Sequence, residues 1–316
     1  MPHYSATVNS WSEIRSEIIN ACVLNGWTQN GNVLTKSDLA AELTVVTSED
    51  ADGQYSEGLH IHGGTGYSGG LLEPSGIQPR MGPPSTNVTA PTWPMDLDIH
   101  LFTDPDEVFA LVKFSVDYHF WLAFGRSSIS VPGTGMWIAA NANRLATSSN
   151  NGGVYITPSG GASGTANQST TGIFWKPYGL YDYRTEHTVH VDLPDVPGWL
   201  APNTSYSGNG NGAISETHNV LVQISPNSWN SESVLIPIQL FVRRNEDKRS
   251  LVVDLQNART LRVDNYDPGQ IITLGDDQWR IYPFYRKNAD QRDGTTSSGG
   301  DHSGTMGWAI RYDPEP

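Results

Sequence analysis

Apolar residues recur every three or four positions in one place only, near the start of the chain. Trp11, Ile14, Ile18 and Cys22 make a stripe, with Ile19 and Val23 beside it. That spacing predicts an amphipathic helix over about 11–25. Ser10 can cap it, and Glu13 three residues on completes a capping box. Gly26 follows the last periodic residue and suits a left-handed C-terminal cap.

After Trp27 the period shortens to two. Leu43, Val45 and Val46 predict one strand, and Leu59 and Ile61, with Tyr67, another. The strongest hairpin signal lies at 98–125. Ile99, Leu101 and Phe102 lead into the Pro-containing turn TDPDE. Val108, Ala110, Val112, Phe114, Val116 and Tyr118 then alternate with a second set of positions that turns polar toward its end. The stretch from Tyr118 to Gly125 continues as a further strand. Strand-like segments resume at 187–193, 219–225, 234–243, 251–255, 260–263 and 270–274. Trp279, Ile281, Tyr282, Phe284 and Tyr285, then a polar loop, then Met306, Trp308, Ile310 and Tyr312 predict a closing hairpin over about 279–312.

Two stretches break every period, about 63–94 and about 126–172. Both are rich in Gly, Ser, Thr, Asn or Pro, and Val154-Tyr155-Ile156 interrupts the second. They read as long loops or arms, and loops of such length usually carry function. The fold class expected is mainly β: one β-rich body over 1–316, a β-sandwich-like or meander sheet, with one N-terminal amphipathic helix and long Gly/Ser/Pro-rich loops or arms.

Composition supports an ordered chain. Charged residues are only 16%, while 10 Trp and 13 Tyr supply bulky core material; disorder would call for the opposite balance. A net charge of −14 argues against a nucleic-acid partner, because phosphate binding needs a basic face. Arg243, Arg244, Lys248 and Arg249, interrupted by Glu246 and Asp247, read as a solvated turn. One cysteine, Cys22, excludes an intrachain disulfide and reads as a small buried hydrophobe. No apolar run reaches membrane-spanning length, so no membrane insertion is expected. No signal peptide is visible, which implies synthesis in a cytoplasm and retention there, or exit by a route such as host lysis.

Candidate chemistry is sparse. His60-Ile61-His62 puts two imidazoles on one face of a strand, a legitimate pair of metal ligands. His100, His119 or His302 could fold in as a third; surface or packing histidines are the alternative. Asp50-Ala51-Asp52-Gly53 resembles the opening of a calcium loop, but position 61 is Ile where such a loop has its glutamate, so an acidic turn is the alternative. His187 and His190 fall on opposite faces of a strand and read as structural. Asp96, Asp98, Asp104, Asp106 and Glu107 cluster around the hairpin turn; paired carboxylates could hydrolyse glycosides, and acidic turns are also common. No nucleophile elbow, Walker loop or dinucleotide fingerprint occurs in a strand–helix setting. No cofactor is expected.

Three stretches resemble virion structural proteins of tailed bacteriophages: Trp11 to Thr28; HLFTDPDEVFALVKFSVDYHFWLAFG at 100–125 with PGTGMW at 132–137; and YPFYRKN to HSGTMGWAIRYD at 282–313. Together they cover a minority of the chain. The resemblance implies a tail- or baseplate-associated component located in the virion, and it carries no catalytic residue across. The first expectation is therefore a non-enzymatic structural subunit, a homo-oligomer assembling with copies of itself and other virion proteins. Long arms gain surface when they lie on a neighbour, which fits that reading. A receptor- or glycan-binding virion module, stacking sugars on Trp175 or Trp199 and meeting host surface glycan, is the alternative. A hydrolase of envelope polysaccharide or peptidoglycan is a further one.

Overall fold

The computed structural model describes residues 2–47, 57–83, 89–142, 173–174, 187–201, 213–214, 232–246, 248–291 and 303–313. In chain order the elements are β1 (His3–Val8), α1 (Trp11–Leu24), β2 (Thr28–Asn30), β3 (Val33–Lys36), β4 (Leu39–Val46), β5 (Gly58–Gly64), β6 (Gly66–Tyr67), β7 (Leu71–Leu72), β8 (Arg80–Met81), β9 (Met95–Thr103), β10 (Asp106–Phe114), β11 (Tyr118–Arg126), β12 (Met136–Ala140), β13 (His187–Leu193), β14 (Val196–Leu200), β15 (Ala213–Ile214), β16 (Ile236–Arg243), β17 (Arg249–Arg262), β18 (Ile271–Leu274), β19 (Asp277–Pro283) and β20 (Met306–Arg311). The expected mainly β architecture with one N-terminal helix is what forms.

A seven-stranded antiparallel meander, β1-β9-β10-β11-β12-β13-β14, is the central layer. Its two faces follow from the period of two. Phe120 and Phe124 point to one side, where they meet Trp11 of α1 and Trp27. On that side lies the five-stranded sheet β2-β3-β4-β5-β8. Phe109 and Trp121 point the other way and both meet Trp308 of β20. That strand belongs to the six-stranded sheet β15-β16-β17-β20-β19-β18. The hairpin and the closing hairpin thus pack face to face, and burying such rings supplies much of the driving force.

α1 begins as its sequence dictates. Ser10 Oγ accepts from Glu13 N at 3.1 Å. Glu13 reaches back one residue further than a standard capping box, to Asn9 N at 2.8 Å. Gly26 closes the helix at φ +87°, a conformation open to glycine.

Three expectations need correction. The alternation read through Val116 stops at Phe114; Ser115 and Asp117 take positive φ and turn the chain, leaving Val116 exposed. Residues 63–83, within the stretch read as a long loop or arm, are a loop laid on the body and not an outlying arm. Arg80 is fully buried and donates to Glu57 O at 2.7 Å, and its backbone pairs with Ala142. Ser75 N donates to Gly63 O at 2.8 Å. Nor is 126–142 a polar excursion: MWIAA is β12, buried along its whole length beside β11. Ser127 Oγ and Ser128 Oγ donate to Val252 O and Asp254 O and fasten the preceding loop to β17. Residues 143–172, the predicted strand at 219–225 and residues 84–88 lie outside the described residues.

Candidate functional site

The sequence-predicted ligands do not converge. His60 and His62 do share a face of β5, one buried, the other half-buried. His62 is already engaged, with Nε2 2.7 Å from Ser75 O and Nδ1 3.3 Å from Gln78 Nε2. His100 and His119 lie elsewhere, between the seven- and six-stranded sheets against Tyr282. Asp50, Asp52, His302 and Trp175 lie outside the described residues. Among the described residues no three His, Cys, Asp or Glu side chains are grouped to hold a metal ion. Cys22 is buried in α1, where desolvation pushes its thiol well above the usual range, so it is no nucleophile. In the basic run, Arg244 pairs with Asp195 at 2.7 Å and Lys248 with Glu246 at 2.5 Å.

The turn carboxylates disperse as the hairpin forms. Asp106 bonds Lys36 Nζ at 2.5 Å, while Asp96 and Asp104 are exposed. Glu107 and Asp98 both face the six-stranded sheet. Glu107 stands opposite Phe102, and Asp98 opposite Leu111. Four positions along a strand separate them, roughly 13 Å, beyond the spacing of a glycosidase pair.

Glu107 is fully buried. It meets β17 where the pairing with β16 skips from Arg259 opposite Pro237 to Asp254 opposite Gln239. The skip is a bulge, and a bulge orphans backbone donors. Glu107 accepts from Gln256 N, Asn257 N and Asn257 Nδ2, each at 3.0 Å. Burial pushes its carboxyl up to about 7, against the pull of those donors.

Asp98 lies in a different cluster at the rim. Its Oδ1 is 2.8 Å from His3 Nε2 and accepts from Arg280 Nη1 at 2.8 Å. Burial alone would raise its carboxyl, but the His3 hydrogen bond and the Arg280 guanidinium together hold it below the usual range. Behind it, His100 Nε2 is 2.9 Å from Tyr282 Oη. Burial, reinforced by His3, brings His100 down to about 3, and burial brings His119 down to about 4. Burial likewise raises the Tyr282 phenol. His3, Asp98, His100, Arg280 and Tyr282 tie β1 and β9 to β19. His3 escaped the sequence reading because β1 carries no clear apolar alternation, and Arg280 because its strand was read from the aromatic residues around it.

A third group lies on the surface. Trp199 on β14 pairs directly with His190 on β13, the rings 5.4 Å apart. Trp199 Nε1 donates to Glu73 O at 2.6 Å. His190 Nε2 is 3.6 Å from Glu73 Oε2 and 3.9 Å from Asp192 Oδ1. The fourth feature is an edge. β18 ends the six-stranded sheet with Ile271 and Leu274 exposed.

Comparison of the chain with protein-family models and with curated proteins found no match.

Proposed function

We propose that the chain is a structural subunit of a tailed-phage virion, in its tail or baseplate, working through contacts with copies of itself and with other virion proteins. The observation that carries the reading is the β18 edge. Gly269 N donates to Ile281 O, and Ile281 N to Gln270 O. Residue 270 therefore bonds inward, and by alternation Ile271 and Thr273 present their backbone groups outward. An edge strand left to solvent normally carries charge or proline. This one carries two large exposed aliphatics. An antiparallel copy related by a two-fold axis through Thr273 would pair the outward backbone groups of Thr273 with those of its counterpart, set Leu274 beside the second copy's Ile272 and bring Ile271 opposite the second copy's Gly275. The resemblance of the three sequence stretches supports the particle assignment.

The test uses the purified full chain and its Ile271→Lys, Leu274→Lys double variant in sedimentation velocity over a concentration series. The wild type is expected to self-associate. The variant should stay monomeric, with stability within about 0.5 kcal/mol because both sites are exposed. A wild type that remains monomeric throughout removes the edge as an assembly contact. The particle assignment is checked separately, by immunogold labelling of tails and baseplates in electron micrographs.

A further inference from the structure

We infer that Trp199, His190, Glu73 and Asp192 form a binding site for a neutral, polyhydroxylated ligand, a hexopyranose ring.

The indole is held on two sides. Its Nε1 is bound to Glu73 O. Its six-membered ring lies over Gly63, where an added Cβ would come within 2.5 Å of Trp199 Cη2. The ring is nonetheless only half-buried. A fixed, partly open aromatic face is a flat apolar platform with no rotamer entropy left to lose.

Polar groups gather beside it. The His190 side chain is 4% exposed. Its Nδ1 is engaged by Thr134, 3.3 Å from the backbone N and 3.2 Å from Oγ1. Its Nε2 makes no hydrogen bond among the described residues. The nearest carboxylate oxygens are beyond hydrogen-bond reach. A ring nitrogen in that state is free to engage a ligand's hydroxyl. A hydroxyl group at this point can engage Nε2 and donate to a carboxylate. Glu73 and Asp192 are 72% and 57% exposed and so open to a ligand. Thr65 Oγ1 donates to Glu73 Oε2 at 3.1 Å, which steadies that side chain. The Glu73 backbone is itself held at φ 41°, a conformation a glutamate adopts only under constraint.

These groups select the ligand class. Two carboxylates repel an anion. A purely apolar ligand would leave Nε2 and both carboxylates without partners. A sugar offers one CH-rich face to the indole and hydroxyl donors to the acids, which satisfies both halves of the site.

The experiment is isothermal titration of the full chain, at pH 7, with a panel of neutral gluco-, galacto- and manno-oligosaccharides, and with choline as a cationic probe. At least one oligosaccharide is expected to bind. Trp199→Ala should weaken that binding by about tenfold or more, and Trp199→Phe by less. Asp192→Asn, at an exposed position, should weaken it while leaving the unfolding midpoint unchanged, so the site can be judged even if Trp199→Ala fails to fold. Absence of binding across the oligosaccharides, binding of choline alone, or sugar binding unaffected by Asp192→Asn overturns the inference. Repeating the titration on the Ile271→Lys, Leu274→Lys variant keeps it separate from self-association, since sugar binding should persist there.

Discussion

Glu107 and Asp98 invite comparison. Both come from the β9–β10 hairpin, both face the six-stranded sheet, and both fasten it to the central meander. Yet their carboxyls move in opposite directions. Glu107 is met by three neutral N–H donors, with the Arg259 charge acting from further off, in full burial, and desolvation wins, bringing it to about 7. Asp98 is met by Arg280 and His3 at a rim that water partly reaches, and the partners win. The two differ in how completely they are enclosed: full burial outweighs the partners of Glu107, while at the rim the His3 hydrogen bond and the Arg280 charge outweigh the desolvation of Asp98.

The largest effect that tests this contrast is Glu107→Ala. The substitution leaves Gln256 N, Asn257 N and Asn257 Nδ2 buried without their acceptor. About 3–5 kcal/mol should be lost, measured by urea unfolding. Asp98→Asn keeps an acceptor oxygen for His3 and Arg280 and should cost only about 1–2 kcal/mol. If the two variants lose equal stability, burial is not what separates the sites.

The pH profile is the next largest. The folded Glu107 carboxyl lies above its usual 4.5, so the native state holds a proton that the unfolded chain has released. Its contribution is complete below about pH 4.5 and is lost as pH rises through 7, on the order of 3 kcal/mol. His100 and His119 act oppositely. Their folded values lie below the usual 6.5, so the unfolded chain takes up protons first as pH falls from 6.5. Stability then falls toward acid. Between pH 4.5 and 6.5 the one glutamate offsets about half of the two histidines' effect, so wild-type stability still rises with pH. Glu107→Gln removes that offset, and its urea midpoint should climb about twice as steeply over the window as the wild type's. Asp98, held below its usual 3.8, stays ionised throughout and adds no slope there; its contribution is lost only as pH falls through its folded value.

The same pair shows how much was legible in the sequence. The hairpin that carries both residues could be read from alternation, as could α1 with its cap, the closing hairpin and the strand runs at 187–193 and 234–243. The gap read between 251–255 and 260–263 coincides with the β17 bulge that Glu107 caps, although alternation could say only that the period broke. What the bulge did with its N–H groups depends on a strand 150 positions away, and a linear pattern holds no record of that. β12 was missed because its five apolar residues follow a Gly/Pro-rich loop, and the loop's composition hid them. β8 was missed because Arg80 looks polar, whereas its guanidinium donates to Glu57 O and Pro83 O and ties the chain down. Of the candidate sites, Trp199 could be named from its residue type, but His190, Glu73 and Asp192 gather around it only through the β13–β14 register and the turn at Glu73.

The smallest effect compares Glu107 with its own neighbour. Asp106 bonds Lys36 Nζ at 2.5 Å with both side chains partly exposed, 16% and 22%. Water and salt reach this pair, and a solvent-screened ion pair contributes little however short it is. Asp106→Asn should therefore cost about 0.5–1 kcal/mol. The loss should shrink when the urea titration is repeated at about 1 M sodium chloride, where the Debye length is about 3 Å. The Glu107→Ala loss should not change with salt, because orphaned N–H groups inside the protein are not screened. A salt-insensitive Asp106 variant would mean that the two adjacent carboxylates share one environment, and the division drawn here between enclosed and rim-exposed ties would fail.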